Sequence, residues 1–227
     1  MKKDQVHISY RPLRTPRAAA IAGILYALLS MTIIIIFQVS IPPDSYTGTN
    51  WLDEQAGNIT LALGLFPFAG IAFIWFMGVV RDRLGHLEDQ FFSTLFFGSG
   101  LLYLAMTFAT AAVAGGIISI YAFDPEMISA GGLYLFGRAM IYKFNSVFAL
   151  RMAAMFMIAL GTIWVRTRLM PRWLALSTYL IALGLLIGIS IFPWTSLLFP
   201  GWVFVISLYI LVLNYRYKHK DGITLEN

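Results

Sequence analysis

Three basic side chains stand apart in this sequence. Arg138, Lys143 and Arg151 lie in or beside a long apolar run, with Asn145 and Ser146 between the last two. Lys143, Val147 and Arg151 are spaced i, i+4, i+8, which on an α-helix puts both charges on one broad face. At 1.5 Å per residue, Arg151 lies about 12 Å from Lys143 and about 22 Å from Arg166, in the outer half of the run. A guanidinium at the centre of a membrane helix costs about 2.5–3.5 kcal/mol on insertion scales, so it needs a partner or a purpose. Two arrangements satisfy that need. In one, Arg138, Lys143, Asn145 and Arg151 line a water-filled pocket that binds an anion or a lipid head. In the other, Arg151 snorkels outward or bonds backbone carbonyls and lipid phosphate, while Lys143 and Arg138 meet Asp53, Glu54, Asp124 or Glu126 at the rim.

Other chemistry is hard to build from these residues. His7, His86 and His219 all fall outside the apolar runs, so the runs offer no imidazole for a haem. The runs also lack Asp and Glu, which disfavours carboxylate proton relays and acid–base catalysis inside them. There is no cysteine and no phosphate-cradling glycine loop. Gly98-Ser99-Gly100 has the look of a nucleophile turn but has no histidine base to activate the serine. We therefore expect no catalytic residues, no metal and no cofactor, and we read the 10 methionines as packing.

The elements that position the basic ladder follow from composition. The chain has 227 residues, 59% hydrophobic and 12% charged, against about 25% charged in soluble domains. Such a chain cannot cover a water-soluble surface, and its aromatic content argues against disorder. It predicts an all-α, polytopic transmembrane bundle, a single membrane domain over residues 1–227. Crossing about 30 Å of hydrocarbon takes about 20 apolar residues. Six stretches qualify, at about 18–41, 58–80, 91–118, 140–165, 173–193 and 197–215. Pro16, Pro171 and Pro200 sit at helix starts, and Pro42, Pro43 and Pro193 at ends. Pro67 alone lies inside a span, where it should kink the helix. The first stretch is too long for a signal-peptide core and lacks a cleavage pattern, so we expect it to be retained.

Charge sets the orientation. Lys2, Lys3, Arg11, Arg14 and Arg17 precede the first span; Arg81 and Arg83 follow the second; Arg166, Arg168 and Arg172 follow the fourth; Arg216, Lys218 and Lys220 follow the last. The alternate loops carry Asp44, Asp53, Glu54, Asp124 and Glu126 instead. This is the positive-inside pattern with both termini cytoplasmic, and it requires an even number of spans. The net charge of +5 is thus a topology signal and not a nucleic-acid footprint. Trp51, Trp194 and Trp202 are expected at the outer interface, and Trp75, Trp164 and Trp173 at the inner one. Asp124-Pro125-Glu126 reads as an N-cap, a first-turn proline and a first-turn acid, predicting a short outer-face helix over about 125–137. Gly184 and Gly188 form a G-x-x-x-G, and Ala105, Ala109, Ala112 and Gly116 a small-residue stripe; both let helices approach, within this chain or with another.

Two resemblances add to this. Gly78, Asp82, Arg83 and Gly85, with His86 in place of the usual base, resemble the G-x-x-x-D-R-x-G-R/K loop of the major facilitator superfamily. That likeness implies a cytoplasmic gate at those residues, although an ordinary inner turn uses the same ones. Phe66-Pro67-Phe68-Ala69-Gly70, Leu95 to Gly100, Phe136-Gly137-Arg138 and Pro171 to Ala175 resemble a group of bacterial six-helix membrane proteins with no assigned activity, which implies a bacterial inner membrane. Function then falls between two classes. One is an accessory, scaffold or assembly subunit, whose partners are the lipid bilayer and another membrane protein or a second copy. The other is a small transporter or anion- or lipid-binding protein that uses the basic ladder.

Overall fold

The computed structural model of the protein describes residues 16–41, 51–84, 90–130, 132–167, 170–187 and 193–223. Among these residues the chain is all-α. Its helices are α1 (Pro16–Ser40), α2 (Trp51–Leu84), α3 (Gln90–Phe123), α4 (Pro125–Ala130), α5 (Leu133–Tyr142), α6 (Leu150–Thr167), α7 (Arg172–Ile187) and α8 (Leu198–Ile223). A π-helical segment, Lys143–Ala149, joins α5 to α6, and a short 3-10 turn, Pro193–Leu197, precedes α8. Among the described residues, five stretches are long and apolar enough to cross a membrane: Ala18–Ser40, Trp51–Arg81, Phe91–Phe123, Leu133–Thr167 and Trp194–Val212. The chain is a multi-pass membrane protein. Helix α7, at 16 residues, is shorter than a bilayer crossing requires.

Several elements differ from the sequence expectation. Helix α2 begins at Trp51, so Asp53 and Glu54 occupy its first turn and are not in a loop. Carboxylates there complement the positive end of the helix dipole, which lets the helix outrun its apolar stretch. It also runs through Pro67 without a break in its assignment. The short outer helix ends at Ala130 and does not reach residue 137. Asp124 caps it as expected, its carboxylate accepting from the N–H groups of Glu126 (3.0 Å) and Met127 (3.3 Å). Gly132 then adopts the left-handed conformation at φ 66°, which glycine tolerates without strain. From Leu133 the chain is already in the fourth long helix, so Arg138 lies inside it.

Cross-helix contacts arrange the bundle in levels. At the basic end, Arg81 of α2 lies over the Phe97 ring and Arg166 of α6 over the Phe92 ring, both on α3. Next come Thr162 with Tyr179 at 2.9 Å, and the Trp202 indole donating to Thr178 at 2.9 Å. The middle is an aromatic cluster from five helices: Tyr26, Phe73, Tyr103, Phe156 and Phe199, with the two tyrosine hydroxyls bonded at 2.8 Å. Beyond it, Asn145 meets Ser196. At the acidic end, Tyr121 donates to Asp53 at 2.7 Å and Trp51 packs edge-on to Tyr134.

Two tryptophans expected at the interfaces belong to the interior. Trp164 is 4% exposed and Trp202 5%, and their rings pack 5.9 Å apart. Trp202 follows the 3-10 turn by one helical turn, and that turn lies deep in the bundle. Its N–H finds Thr178, so the ring can be buried whole. Trp75 and Trp173 are exposed, as membrane anchors are.

Candidate binding cavity

The levels expose a mismatch in length. The start of the α8 arm, at Ser196, meets the rest of the bundle at Asn145, which lies about 16 Å along its helix from Tyr134 at the acidic end. The longer helices continue past the tip and enclose a cavity of about 580 Å³. Helix α1 supplies Ile33, Ile34, Phe37 and Gln38, α2 supplies Trp51, Leu52, Ile59 and Phe66, and α3 supplies Thr110, Ala114, Ile117 and Ile118. Trp194, Thr195 and Ser196 of the hairpin tip close it.

The fourth wall carries most of the polarity. Tyr134, Arg138, Ile141 and Tyr142 follow i, i+4, i+7, i+8 along α5 and share one face of it, and Asn145 and Ser146 extend that face into the π segment. Arg138 donates to the Tyr134 hydroxyl at 3.1 Å, and Asn145 donates to Ser196 at 3.1 Å. Arg138 is the sole ionisable side chain of formal charge among the described residues that line the cavity.

The four residues of the predicted ladder therefore part company. Arg138 and Asn145 line the cavity; Lys143 and Arg151 do not. Helical spacing is the cause: at 3.6 residues per turn Asn145, seven residues on, returns to the face of Arg138, whereas Lys143, five residues on, stands about 140° away. The π segment, in which Leu150 N–H bonds Asn145 O five residues back, begins at Lys143. Lys143 is left exposed. Arg151 folds back, its Nη1 donating to Val147 O at 2.7 Å, the carbonyl-bonding alternative of the two arrangements.

The remaining sequence candidates are distributed elsewhere. Gly78 is exposed, with open space where a side chain would project. Asp82 and Arg83 continue the backbone of α2. Gly85, His86 and Gly188 lie outside the described residues. Gly184 is half-buried in α7, while Ala105, Ala112 and Gly116 are exposed and Ala109 half-buried, so the α3 stripe faces outward from the bundle. Ser99 donates to the carbonyls of Leu95 and Phe96, a helix-internal role. The close approaches are made instead at Gly23, Gly70, Gly100 and Gly137, where an added Cβ would strike Ser207, Phe108, Met77 and Ile117 respectively.

Tyr134 was not singled out from the sequence, and Trp51 only as an interface anchor. A usable signal existed in the recurrence Tyr134, Arg138, Tyr142, Asn145, a polar line along an otherwise apolar helix. Pairing charges by sign alone obscured it. No family model, curated protein or solved structure matches this chain.

Proposed function

We propose that this protein binds an amphiphile in the cavity between α1, α2, α3, α5 and the hairpin tip, and that it has no catalytic chemistry of its own. The carrying observation is the lining of the cavity. Isoleucine-rich walls carry a few hydrogen-bonding groups concentrated along α5 and the π segment, and ligand pockets have that composition and a volume of about 300–1,000 Å³. A small transporter or lipid-handling subunit uses such a site.

Six passes with both termini cytoplasmic accord with the contacts. The chain leaves the basic end at Arg172, and Trp202 of α8 meets Thr178 and Trp164, which supports counting α7 towards a fifth pass. Segregation of Arg81 and Arg166 from Asp53, Asp124 and Glu126 supports placing the basic end inside. The bacterial inner membrane, and kinship with the six-helix group, rest on the sequence resemblance. A second role, as an accessory or assembly subunit, is favoured by one observation. The exposed stripe of Ala105, Ala112 and Gly116 suits close approach by a helix of another protein or of a second copy.

Native mass spectrometry of the protein purified in mild detergent tests the binding role. The wild type should retain a bound amphiphile. Ala114→Trp, which places an indole in the cavity, should lose it while keeping its helix content. Equal occupancy in both, or an empty wild type that takes up no added amphiphile, would refute the proposal.

A further inference from the structure

The side of the fourth long helix away from the cavity carries a second arrangement. Ala139, Lys143, Val147, Arg151 and Met155 follow one another at intervals of four, and none of them lines the cavity. Ala139 and Lys143 are exposed, and the other three are half-buried. We infer that this face holds an anionic phospholipid of the surrounding bilayer. Lys143 and Arg151 take its phosphate and ester groups, and a groove between α3 and α6 takes one of its chains. The site is separate from the cavity and stands without it.

Depth decides what the two cations meet. Arg166, over the Phe92 ring, marks the basic end of this helix. Hydrocarbon about 30 Å thick, counted from there at 1.5 Å per residue, ends near Ser146. Lys143 then stands in the head-group layer of the acidic-end leaflet, and Arg151 about five residues inside the hydrocarbon edge. Lys143 makes no hydrogen bond or ion pair among the described residues. Arg151 makes one, to Val147 O on its own helix. A guanidinium has five N–H groups, so that bond leaves most of them unspent, and lipid chains offer them no acceptor. No Asp or Glu occurs from Leu133 to Thr167. The acceptors at this depth belong to lipids, phosphate oxygens beside Lys143 and ester carbonyls beside Arg151. Two cations without a carboxylate favour a head that is negative overall.

The chain has its place next to the guanidinium. An almost wholly apolar groove of about 370 Å³ runs between α3 and α6, with Leu95, Gly98 and Leu102 on one side and Met152 and Met155 on the other. Met152 follows Arg151 directly, and Met155 lies one turn nearer the basic end on the face of Arg151. Gly98 has open space where a side chain would project, and methionine adapts to an irregular apolar occupant. Cation, cation and groove thus follow one another in the order in which a phospholipid carries phosphate, ester and chain.

The test adds defined lipids to the delipidated full-length protein in a neutral detergent and reads binding by native mass spectrometry. The probes are dioleoyl phosphatidylglycerol, dioleoyl phosphatidylcholine and the short-chain dihexanoyl phosphatidylglycerol. Wild type and Ala114→Trp, whose substitution fills the cavity, should both bind dioleoyl phosphatidylglycerol at least about tenfold more tightly than the choline lipid. Lys143→Gln and Arg151→Gln should each weaken phosphatidylglycerol about fivefold and leave the choline lipid unchanged. Lys143 is exposed and makes no bond, so its substitution carries the test even if Arg151→Gln fails to accumulate. Gly98→Phe, which places a ring in the groove, should bring the dioleoyl lipid down to the affinity of the dihexanoyl one. Phosphatidylglycerol that binds wild type but not Ala114→Trp, and is untouched by Lys143→Gln, would overturn this site and leave the cavity's role standing. Equal binding of the two dioleoyl lipids would overturn the anionic head, and so would an acidic membrane protein that co-purifies in their place and is released by Lys143→Gln. An unchanged dioleoyl affinity in Gly98→Phe would overturn the chain's path. Selective binding to Ala114→Trp that depends on Lys143 would establish the site even if the cavity proves empty.

Discussion

Asn145 donates a hydrogen bond to Ser196 at 3.1 Å, joining the π segment of the fourth long helix to the tip of the α7–α8 hairpin. The contact marks where the hairpin stops. Helices α1, α2 and α3 and the run from Leu133 pass beyond it, and the cavity is the space they enclose there. The bond thus sits at the floor of the site, between two half-buried or buried polar groups that lipid could not satisfy.

Removing either partner should loosen that floor. Asn145→Ala and Ser196→Ala should each destabilise the protein by about 0.6–1 kcal/mol, the usual worth of an interhelical hydrogen bond in a membrane. Reversible unfolding in mixed micelles measures it. The double variant should cost no more than the larger single one, because the two changes remove the same bond.

The all-helical fold and the presence of several long apolar helices could be read from composition, because a chain with 12% charge has few ways to satisfy its backbone in lipid. Helix ends were harder. Trp51 and Leu133 start helices well before the apolar runs begin, since acids and aromatics at the bilayer edge extend a helix at little cost. The basic ladder was visible as residues, and its split follows from spacing: Asn145 is seven residues from Arg138 and shares its face, while Lys143, five residues away, and Arg151, thirteen, do not. The π insertion itself leaves no mark in a sequence read at 3.6 residues per turn. The depth of the hairpin tip, and with it the cavity, depends on Trp202 finding Thr178, a contact between two helices that sequence spacing does not encode.

Arg151 should prove dispensable for binding in the cavity. Its guanidinium is bonded to Val147 O and does not line the cavity. Arg151→Leu should favour membrane insertion by about 3 kcal/mol on the translocon scale and leave amphiphile affinity in the cavity unchanged. Insertion assays and native mass spectrometry of the amphiphile that Ala114→Trp removes report the two effects separately. A loss of that amphiphile comparable to that of Ala114→Trp would restore the ladder as a unit.

The two glycines that flank Ser99 in α3 should respond oppositely to a methyl group. At Gly100 a Cβ would strike the Met77 sulfur and crowd Phe156 at 3.0 Å. Overpacking of that kind costs about 1–3 kcal/mol. At Gly98 nothing lies within 4 Å, so alanine should be neutral or stabilise by up to about 1 kcal/mol through helix propensity. Unfolding midpoints of Gly100→Ala and Gly98→Ala should move apart.

Gly23 and Ser207 should be coupled. A Cβ on Gly23 of α1 would overlap the Ser207 oxygen of α8 and press on Phe76 at 2.8 Å. Ser207 Oγ is itself buried without a partner among the described residues. Ser207→Ala should therefore be neutral or stabilising by up to about 1 kcal/mol. It should also soften the penalty of Gly23→Ala, giving a favourable coupling of about 0.5 kcal/mol or more in a double-mutant cycle. Strict additivity would mean that Phe76 alone sets the cost.

Orientation can be read with single cysteines, because the chain contains none. Phe123, at the acidic end, is 91% exposed, and Arg172 at the basic end is also exposed. With the basic end inside, a membrane-impermeant maleimide should label Phe123→Cys on intact cells and Arg172→Cys only after permeabilisation. Asn227→Cys decides between five and six passes. If α7 and the segment after it complete a crossing, α8 returns the chain to the basic side and Asn227→Cys behaves like Arg172→Cys. If they do not, it labels with Phe123→Cys. In that case the α7–α8 hairpin would be a re-entrant element, with its backbone at membrane depth satisfied by the protein around it, as the Asn145–Ser196 bond requires in either topology.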